Sequence, residues 1–153
     1  MEYYAETIGA DCAFFIKNKP ALATGKGNVL KELNVDFSNY KIVLIKPEIN
    51  LNTAHVYSLI KPKEDAPNLE KSLLFQITEW KNYFFNDFES VIFYRHPELQ
   101  QIKNEMYTKG AYYAAMSGSG SSIYGVFDKN ANFEKLNFSA KYHIVSVLND
   151  KNV

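Results

Sequence analysis

The sequence predicts an α+β fold in which helices cover one face of a small antiparallel sheet, close to a ferredoxin-like plan. Short apolar runs of strand length alternate with segments that have helical spacing of apolar residues. After residue 38 their order is strand, helices and then three strands. Apolar residues make up 46% and aromatic residues 15% of the 153 residues, which is enough for a packed core.

The first 38 residues are predicted to form a unit of their own. It consists of the end of a helix over 2–8, closed by Gly9, and a β-hairpin. The hairpin is predicted as a strand, a turn and a returning strand over residues 13–17, 18–20 and 21–24. Gly25-Lys26-Gly27-Asn28 then breaks the strand pattern. A chain that starts on the last turn of a helix is unusual, so we interpret residues 1–38 as the remnant of an upstream domain and 39–153 as a second domain.

The second domain is predicted to begin with its clearest strand, over 40–46, because this β-branched apolar run is too short for a helix and stops at Pro47. Thr53 is expected to cap a helix that closes at Pro62. The remaining elements follow from helical spacing, from proline in a first helical turn and from strand-length apolar runs. They are helices over 69–85, over 88–94 and from Pro97 to Gly110, and strands over 112–116, 123–127 and 142–147.

Charge and cysteine content exclude several classes of function. Seventeen basic and seventeen acidic residues give a net charge of zero, which disfavours nucleic acid or an anionic membrane as the main partner. No apolar run is long enough to cross a bilayer and no signal peptide opens the chain, so we predict a cytoplasmic protein. A single cysteine, Cys12, excludes an internal disulfide and a multi-cysteine zinc site. The three histidines, His55, His96 and His143, have no carboxylate or cysteine at ligand spacing, so no metal site is predicted.

The strongest indication of chemistry is Met116-Ser117-Gly118-Ser119-Gly120-Ser121-Ser122, which lies between two predicted strands. Glycine adopts positive φ without a Cβ penalty, and successive N–H groups can then converge on one anion. The segment predicts a turn that binds phosphate. Taken alone, it also fits a plain hairpin loop of small residues.

Asp11 is a second candidate, because it follows Gly9 and precedes an apolar segment. A carboxylate at such a place is costly to bury without hydrogen-bond partners. It is expected either to cap backbone N–H groups or to face a cleft.

Three segments in this order resemble the C-terminal half of the GHMP small-molecule kinases. They are Gly9-Ala10-Asp11-x-x-Phe14-Phe15, Ala23-x-Gly25-x-Gly27-x-x-Leu30 and Ser117-Gly118-Ser119-Gly120-Ser121. Two further stretches, 50–57 and 86–89, resemble a family segment with a threonine before an aromatic residue and an asparagine–acid stretch before a helix. The resemblance covers nearly the whole chain. It implies a GHMP kinase C-terminal domain over 39–153 and a remnant of the N-terminal kinase domain over 1–38.

The resemblance also implies roles for single residues. Asp11 would be catalytic and would orient the substrate hydroxyl or accept its proton. The phosphates of the nucleotide would be braced by Ser117, Gly118, Ser119 and Gly120.

Four more residues would bind substrate. Tyr57 would stack on a cytosine ring, although a core tyrosine on a helix face fits the sequence equally well. Thr53 would line the same pocket, unless capping alone explains it. Gly25 and Gly27 would border the substrate cleft, or would simply form a tight turn.

The implied reaction is transfer of the ATP γ-phosphate to a hydroxyl of a cytidyl alcohol in isoprenoid biosynthesis, with Mg²⁺ bridging phosphate oxygens. No run here resembles Gly-Leu-Gly-Gly-Gly-Ser, so the ATP site is expected in a missing N-terminal half of the same polypeptide. Without that half, this chain is expected to be inactive and to bind no cofactor tightly. The alternatives are another GHMP kinase, of homoserine or mevalonate type, and a non-catalytic ferredoxin-like ligand-binding module.

Overall fold

The computed structural model describes residues 9, 12–17, 19–61, 68–132, 138 and 142–148. The chain divides into two compact units, Met1–Asp36 and Phe37–Val153. The division lies close to the predicted boundary after residue 38. The predicted helix end over 2–8 and the candidate Asp11 fall outside the described residues.

The first unit contains helix α1, Cys12–Lys17, and strands β1, Ala21–Thr24, and β2, Val29–Glu32. The predicted strand over 13–17 is wrong, because these residues lie in α1, where the Cys12 N–H donates to the Gly9 carbonyl at 3.1 Å. A short continuous apolar run fits a helix as well as a strand, and here the helix forms.

A β-hairpin is present in the first unit, but its strands are not the predicted pair. Strand β1 pairs antiparallel with β2, from Ala21 opposite Glu32 to Thr24 opposite Val29. The turn of the hairpin is therefore residues 25–28 and not 18–20. Gly25 and Gly27 supply the positive φ angles of this turn, 66° and 91°.

The second unit is built on a four-stranded antiparallel sheet in the order β4-β5-β3-β6. The strands are β3, Tyr40–Pro47, β4, Tyr113–Met116, β5, Ile123–Asp128, and β6, Tyr142–Leu148. All four strands were predicted to within one residue of these bounds at both ends. Strand β4 lies at one edge of the sheet, and the link from β4 to β5 is the turn that carries the serines and glycines.

Five helical segments join these strands. They are α2, Thr53–Ser58, α3, Leu69–Ser72, a 3-10 helix, Ile77–Asn82, α4, Glu89–Arg95, and α5, Pro97–Thr108. The predicted continuous helix over 69–85 is wrong, since it is divided into α3 and the 3-10 helix. A new helix start explains the division: the Gln76 N–H donates to Glu79 Oε2 at 3.3 Å, as in a capping box.

The two faces of the sheet are covered differently. Helices α4 and α5 pack on one face, as predicted, against strand residues that include Val43, Ile45 and Phe127. The opposite face carries an aromatic layer that was not predicted. In it Trp80 of the 3-10 helix lies edge-on to Phe37 and Tyr113, with ring centres 6.1 and 6.0 Å apart. No helix among the described residues is long and apolar enough to span a membrane.

Candidate functional site

The turn between β4 and β5, residues 117–122, is called the Ser/Gly turn below. Gly118 and Gly120 both adopt positive φ, 53° and 88°, as the sequence indicated. Two backbone hydrogen bonds close the turn: the Ser117 N–H donates to Ser122 O at 2.8 Å, and the Gly120 N–H donates to Ser117 O at 2.9 Å. The turn is thus a defined backbone structure.

Asn86 holds the upstream side of the Ser/Gly turn. Its side-chain nitrogen donates to Met116 O at 2.7 Å and to Gly118 O at 2.8 Å. Its side-chain oxygen accepts the Phe88 N–H at 3.0 Å. The carboxamide therefore joins the turn to the beginning of α4.

Ser121 holds the downstream side, and it is 1% exposed. Its hydroxyl accepts from Lys46 Nζ at 2.8 Å and donates to the carbonyl of Ile49. Lys46 Nζ also donates to Ile49 O at 3.3 Å. A cationic group is thereby fixed beneath the turn.

Thr53 and Ser119, two predicted site residues, meet at the tip of the turn, with their hydroxyl oxygens 3.2 Å apart. The expectation that Thr53 caps α2 is wrong, because Asn52 is the cap and accepts the His55 N–H at 2.9 Å. Thr53 is the first residue of the helix, and its hydroxyl contacts the turn instead.

Tyr57 is 61% exposed, so it is not the core tyrosine that the sequence left open. Its ring packs edge-on against Phe88, with the ring centres 4.9 Å apart. It lines a pocket of about 580 Å³ that also borders Ser117 and Gly118. Aromatic and apolar side chains form most of the other walls, among them Ile60, Leu69, Phe84, Phe85, Phe88, Tyr113 and Tyr124. Among the described residues, the predicted aromatic and the predicted turn thus share one recess.

The other predicted site residues lie in the first unit. Gly25 and Gly27 belong to the turn of its hairpin, where the Gly27 N–H donates to Thr24 O at 3.1 Å. A tight turn accounts for both glycines. No group of three His, Cys, Asp or Glu side chains in the described part of the chain is placed to hold a metal ion.

Sequence reasoning missed the residues that hold the edge of β4. Glu89 Oε1 accepts the Met116 N–H at 2.8 Å, and Glu89 Oε2 accepts from Lys103 Nζ at 2.6 Å. The Tyr107 hydroxyl donates to Ala114 O at 3.2 Å and accepts the Ala114 N–H at 3.1 Å. Burial raises the pKa of this phenol, which keeps its donor proton in place.

One of these missed residues had a signal in the sequence. Glu89 closes the stretch 86–89, which the family resemblance had already singled out without a role. Tyr107 had none, because its partner lies seven residues further along the chain on a different element. Its contact depends on how α5 packs against β4.

The chain is similar to known proteins over most of its length. Residues 72–143 match the family model described as "GHMP kinases C terminal". The crystal structure of a 4-(cytidine 5'-diphospho)-2C-methyl-D-erythritol kinase superposes with a TM-score of 0.67 at 28% sequence identity, over 81% of this chain and 46% of that chain.

Curated relatives carry the name 4-diphosphocytidyl-2-C-methyl-D-erythritol kinase. The protein of Bacteroides fragilis is 44% identical over 142 residues, which are 93% of this chain and 52% of the relative. The protein of Parabacteroides distasonis is 42% identical over 135 residues, which are 88% of this chain and 50% of the relative. The chain thus spans about half the length of the curated relatives it matches.

Proposed function

We propose that this chain is the C-terminal part of a GHMP-type kinase that transfers the γ-phosphoryl group of ATP to the 2-hydroxyl of 4-diphosphocytidyl-2-C-methyl-D-erythritol. The observation that carries the proposal is the 3.2 Å contact between Thr53 and Ser119, which sets the Ser/Gly turn beside the helix of Tyr57. Similarity to kinases of that name supports the choice of substrate. The isoprenoid pathway and the cytoplasm stay predictions of the sequence.

The Ser/Gly turn would brace phosphate. Phosphoryl transfer requires alignment of the reacting oxygens and stabilisation of spread negative charge more than covalent help from the protein. Backbone N–H groups held by a closed turn supply such stabilisation without reorganising during the reaction. The positive φ angles of Gly118 and Gly120 and the fixed Lys46 below them suit this role.

Tyr57 would bind the base. A half-open pocket with aromatic walls accepts a flat heterocycle by stacking, which does not depend on a particular hydrogen-bond pattern. The exposure of Tyr57 and its place in the 580 Å³ pocket support this role. Thr53 would contact the substrate from the same helix.

The remaining roles rest on the family resemblance. Asp11 would orient the hydroxyl or take its proton, and Gly25 and Gly27 would border the cleft. ATP would be bound mainly by an N-terminal half of the same polypeptide, since the relatives are about twice as long as the matched region. Mg²⁺ would neutralise phosphate charge when bound.

A coupled ADP-release assay on the complete polypeptide tests the proposal. We expect turnover of the cytidyl alcohol and no turnover of homoserine or mevalonate. Tyr57→Ala should raise the KM for the cytidyl alcohol about tenfold or more, since base stacking is worth about 1–3 kcal/mol. Tyr94→Ala is the matched control, because Tyr94 is 88% exposed on α4 and does not line the pocket of Tyr57.

Two results would contradict the proposal. Turnover of homoserine or mevalonate in place of the cytidyl alcohol would identify another GHMP kinase. Absence of any phosphorylation, combined with tight small-molecule binding in calorimetry that Asp11→Asn leaves unchanged, would identify a non-catalytic binding module.

A further inference from the structure

We propose that Asn86 is a positioning residue of this kinase: its carboxamide turns the carbonyl groups of Met116, just before the Ser/Gly turn, and of Gly118, within it, away from the site where phosphate would lie. The role in phosphate binding rests on the proposed function. That Asn86 holds the turn in place rests only on its hydrogen bonds to Met116 O and Gly118 O.

The carboxamide of Asn86 uses both of its functional groups. The side-chain NH₂ donates to Met116 O and Gly118 O, at 2.7 and 2.8 Å, and the side-chain oxygen accepts the Phe88 N–H at 3.0 Å. An amide has two N–H donors and a carbonyl acceptor, so its orientation is determined on both sides. The Glu89 N–H also donates to the backbone carbonyl of Asn86 at 2.9 Å, which fixes Asn86 itself at the start of α4.

The two bonded carbonyls set the directions of two N–H groups. In a planar trans peptide the C=O and the following N–H point in opposite directions. Holding Met116 O toward Asn86 therefore directs the Ser117 N–H the other way, where it donates to Ser122 O at 2.8 Å. Holding Gly118 O toward Asn86 directs the Ser119 N–H away from Asn86 in the same manner.

This arrangement favours an anion on the side opposite Asn86. A carbonyl oxygen repels a phosphate oxygen, whereas an N–H attracts it, so the same peptide groups hinder or help according to which end they present. Asn86 donates a hydrogen bond to each of the two carbonyl oxygens. Without its donors, neither peptide plane next to Ser117 and Gly118 would have a side-chain bond that keeps its carbonyl withdrawn.

An aspartate in place of Asn86 provides a sharp test, because a carboxylate keeps the shape but only accepts hydrogen bonds. In Asn86→Asp two carbonyl oxygens would face a negative charge, and the turn would rearrange. Asn82→Asp is the matched control, since Asn82 is exposed at the end of the 3-10 helix and the change in charge is identical. Asn86→Ala removes the donors without adding charge. It replaces Asn86→Asp as the test variant if Asn86→Asp does not fold.

The measurement is steady-state kinetics of the complete polypeptide with ATP and alcohol varied separately, together with the melting temperature. For Asn86→Asp and Asn86→Ala we expect kcat/KM for ATP to fall about tenfold or more, as for a lost hydrogen bond. The KM for the alcohol should rise less than the KM for ATP, even though Asn86 also borders the pocket of Tyr57, and Asn82→Asp should match the wild type. Lowering the pH from about 8 to about 5.5 should raise the activity of Asn86→Asp relative to wild type, because a protonated carboxyl regains one O–H donor.

Wild-type kinetics for ATP in both Asn86 variants would overturn the inference. So would equal losses for ATP and alcohol that follow the melting temperature and show no recovery in acid. These outcomes are separate from a failure of the proposed function, which would appear as an inactive wild type or as turnover of a different alcohol. If a different alcohol is turned over, kcat/KM for ATP of the Asn86 variants and of the wild type is compared with that alcohol as the co-substrate.

Discussion

Glu89 and Lys103 form a mostly buried ion pair, with 2.6 Å between Oε2 and Nζ, that joins α4 to α5. Their side chains are 13% and 22% exposed. The second carboxylate oxygen of Glu89 accepts the Met116 N–H, so the pair also holds the end of β4 where the Ser/Gly turn begins.

The first prediction follows from this pair. Glu89→Ala should lower the free energy of unfolding by about 2–3 kcal/mol, because it leaves the Lys103 ammonium and the Met116 N–H without this partner in a poorly solvated place. Glu32→Ala is the control: it breaks the exposed ion pair with Lys19, whose side chains are 58% and 60% exposed, and should cost less than about 1 kcal/mol. Urea unfolding measures both, and equal losses would contradict the prediction.

The second prediction separates the two glycines of the turn. A Cβ on Gly120 would lie 2.7 Å from Met116 Sδ and 2.9 Å from Leu51 Cδ1, whereas a Cβ on Gly118 would meet nothing within 4 Å. Gly120→Ala should therefore cost about 2–3 kcal/mol, from backbone strain and crowding, and Gly118→Ala only the strain of about 1 kcal/mol. Gly118→Asn should be close to neutral, since asparagine tolerates this backbone conformation. We expect melting temperatures to fall in the order Gly118→Asn, Gly118→Ala, Gly120→Ala. A different order would contradict the prediction that only Gly120 is crowded.

The third prediction concerns the buried hydroxyl of Ser121. Ser121→Ala should destabilise the protein by about 1–3 kcal/mol, because the Ile49 carbonyl and the Lys46 ammonium both lose this partner. Lys46→Met combined with Ser121→Ala should cost less than the sum of the single changes, as expected for residues in one hydrogen-bond network. Ser58→Ala, at an exposed hydroxyl, should change stability by less than about 0.5 kcal/mol. Additive losses in the double variant would argue against the network.

The fourth prediction is a pH dependence. The Asn130 N–H donates to Asp128 Oδ1 at 2.8 Å, and this bond, with a smaller contribution from the Tyr112 hydroxyl, lowers the pKa of the carboxyl in the folded state. Stability from a lowered pKa is present above the unfolded value and is lost as the pH falls through the folded one. Between about pH 6 and about pH 3, the melting temperature of Asp128→Asn should fall less than that of wild type.

Tyr112→Phe provides the comparison for this pH series. It keeps the backbone bond to Asp128 and removes only the Tyr112 hydroxyl, so most of the wild-type pH dependence should remain. An Asp128→Asn curve parallel to wild type would show that the carboxyl contributes nothing to acid sensitivity.

The sheet and the long helices were predictable because each has a local cause. Strand β3 has a β-branched run that ends at a proline, and α5 starts with Pro97 in its first turn and stops before Gly110, whose φ is 95°. The predictions for residues 13–17 and 69–85 were wrong because neither segment has a local sequence signal that determines its structure. The first run is too short for periodicity to decide, and the second contains an internal helix start at Gln76.

The sequence singled out candidate residues that lie close together in the second unit, but it did not indicate the side chains that hold them. The Ser/Gly turn, Thr53 and Tyr57 were found by type and by resemblance, and the structure places them together within the second unit. The supports are single side chains, such as Asn86 and Ser121, that bond to backbone groups 30 and 72 residues away. The family resemblance included both positions, but any polar residue can make such bonds, so their supporting role cannot be recognised before the chain is folded.

The side chains along β4 have a further consequence for assembly. Exposed strand edges invite additional strands from other molecules, which leads to domain swapping, peptide capture or aggregation. On β4 the outward groups of Ala114 and Met116 are already occupied by Tyr107, Glu89 and Asn86. Lengthening of this sheet by a foreign chain would therefore have to take place along β6, at the opposite margin of the four described strands.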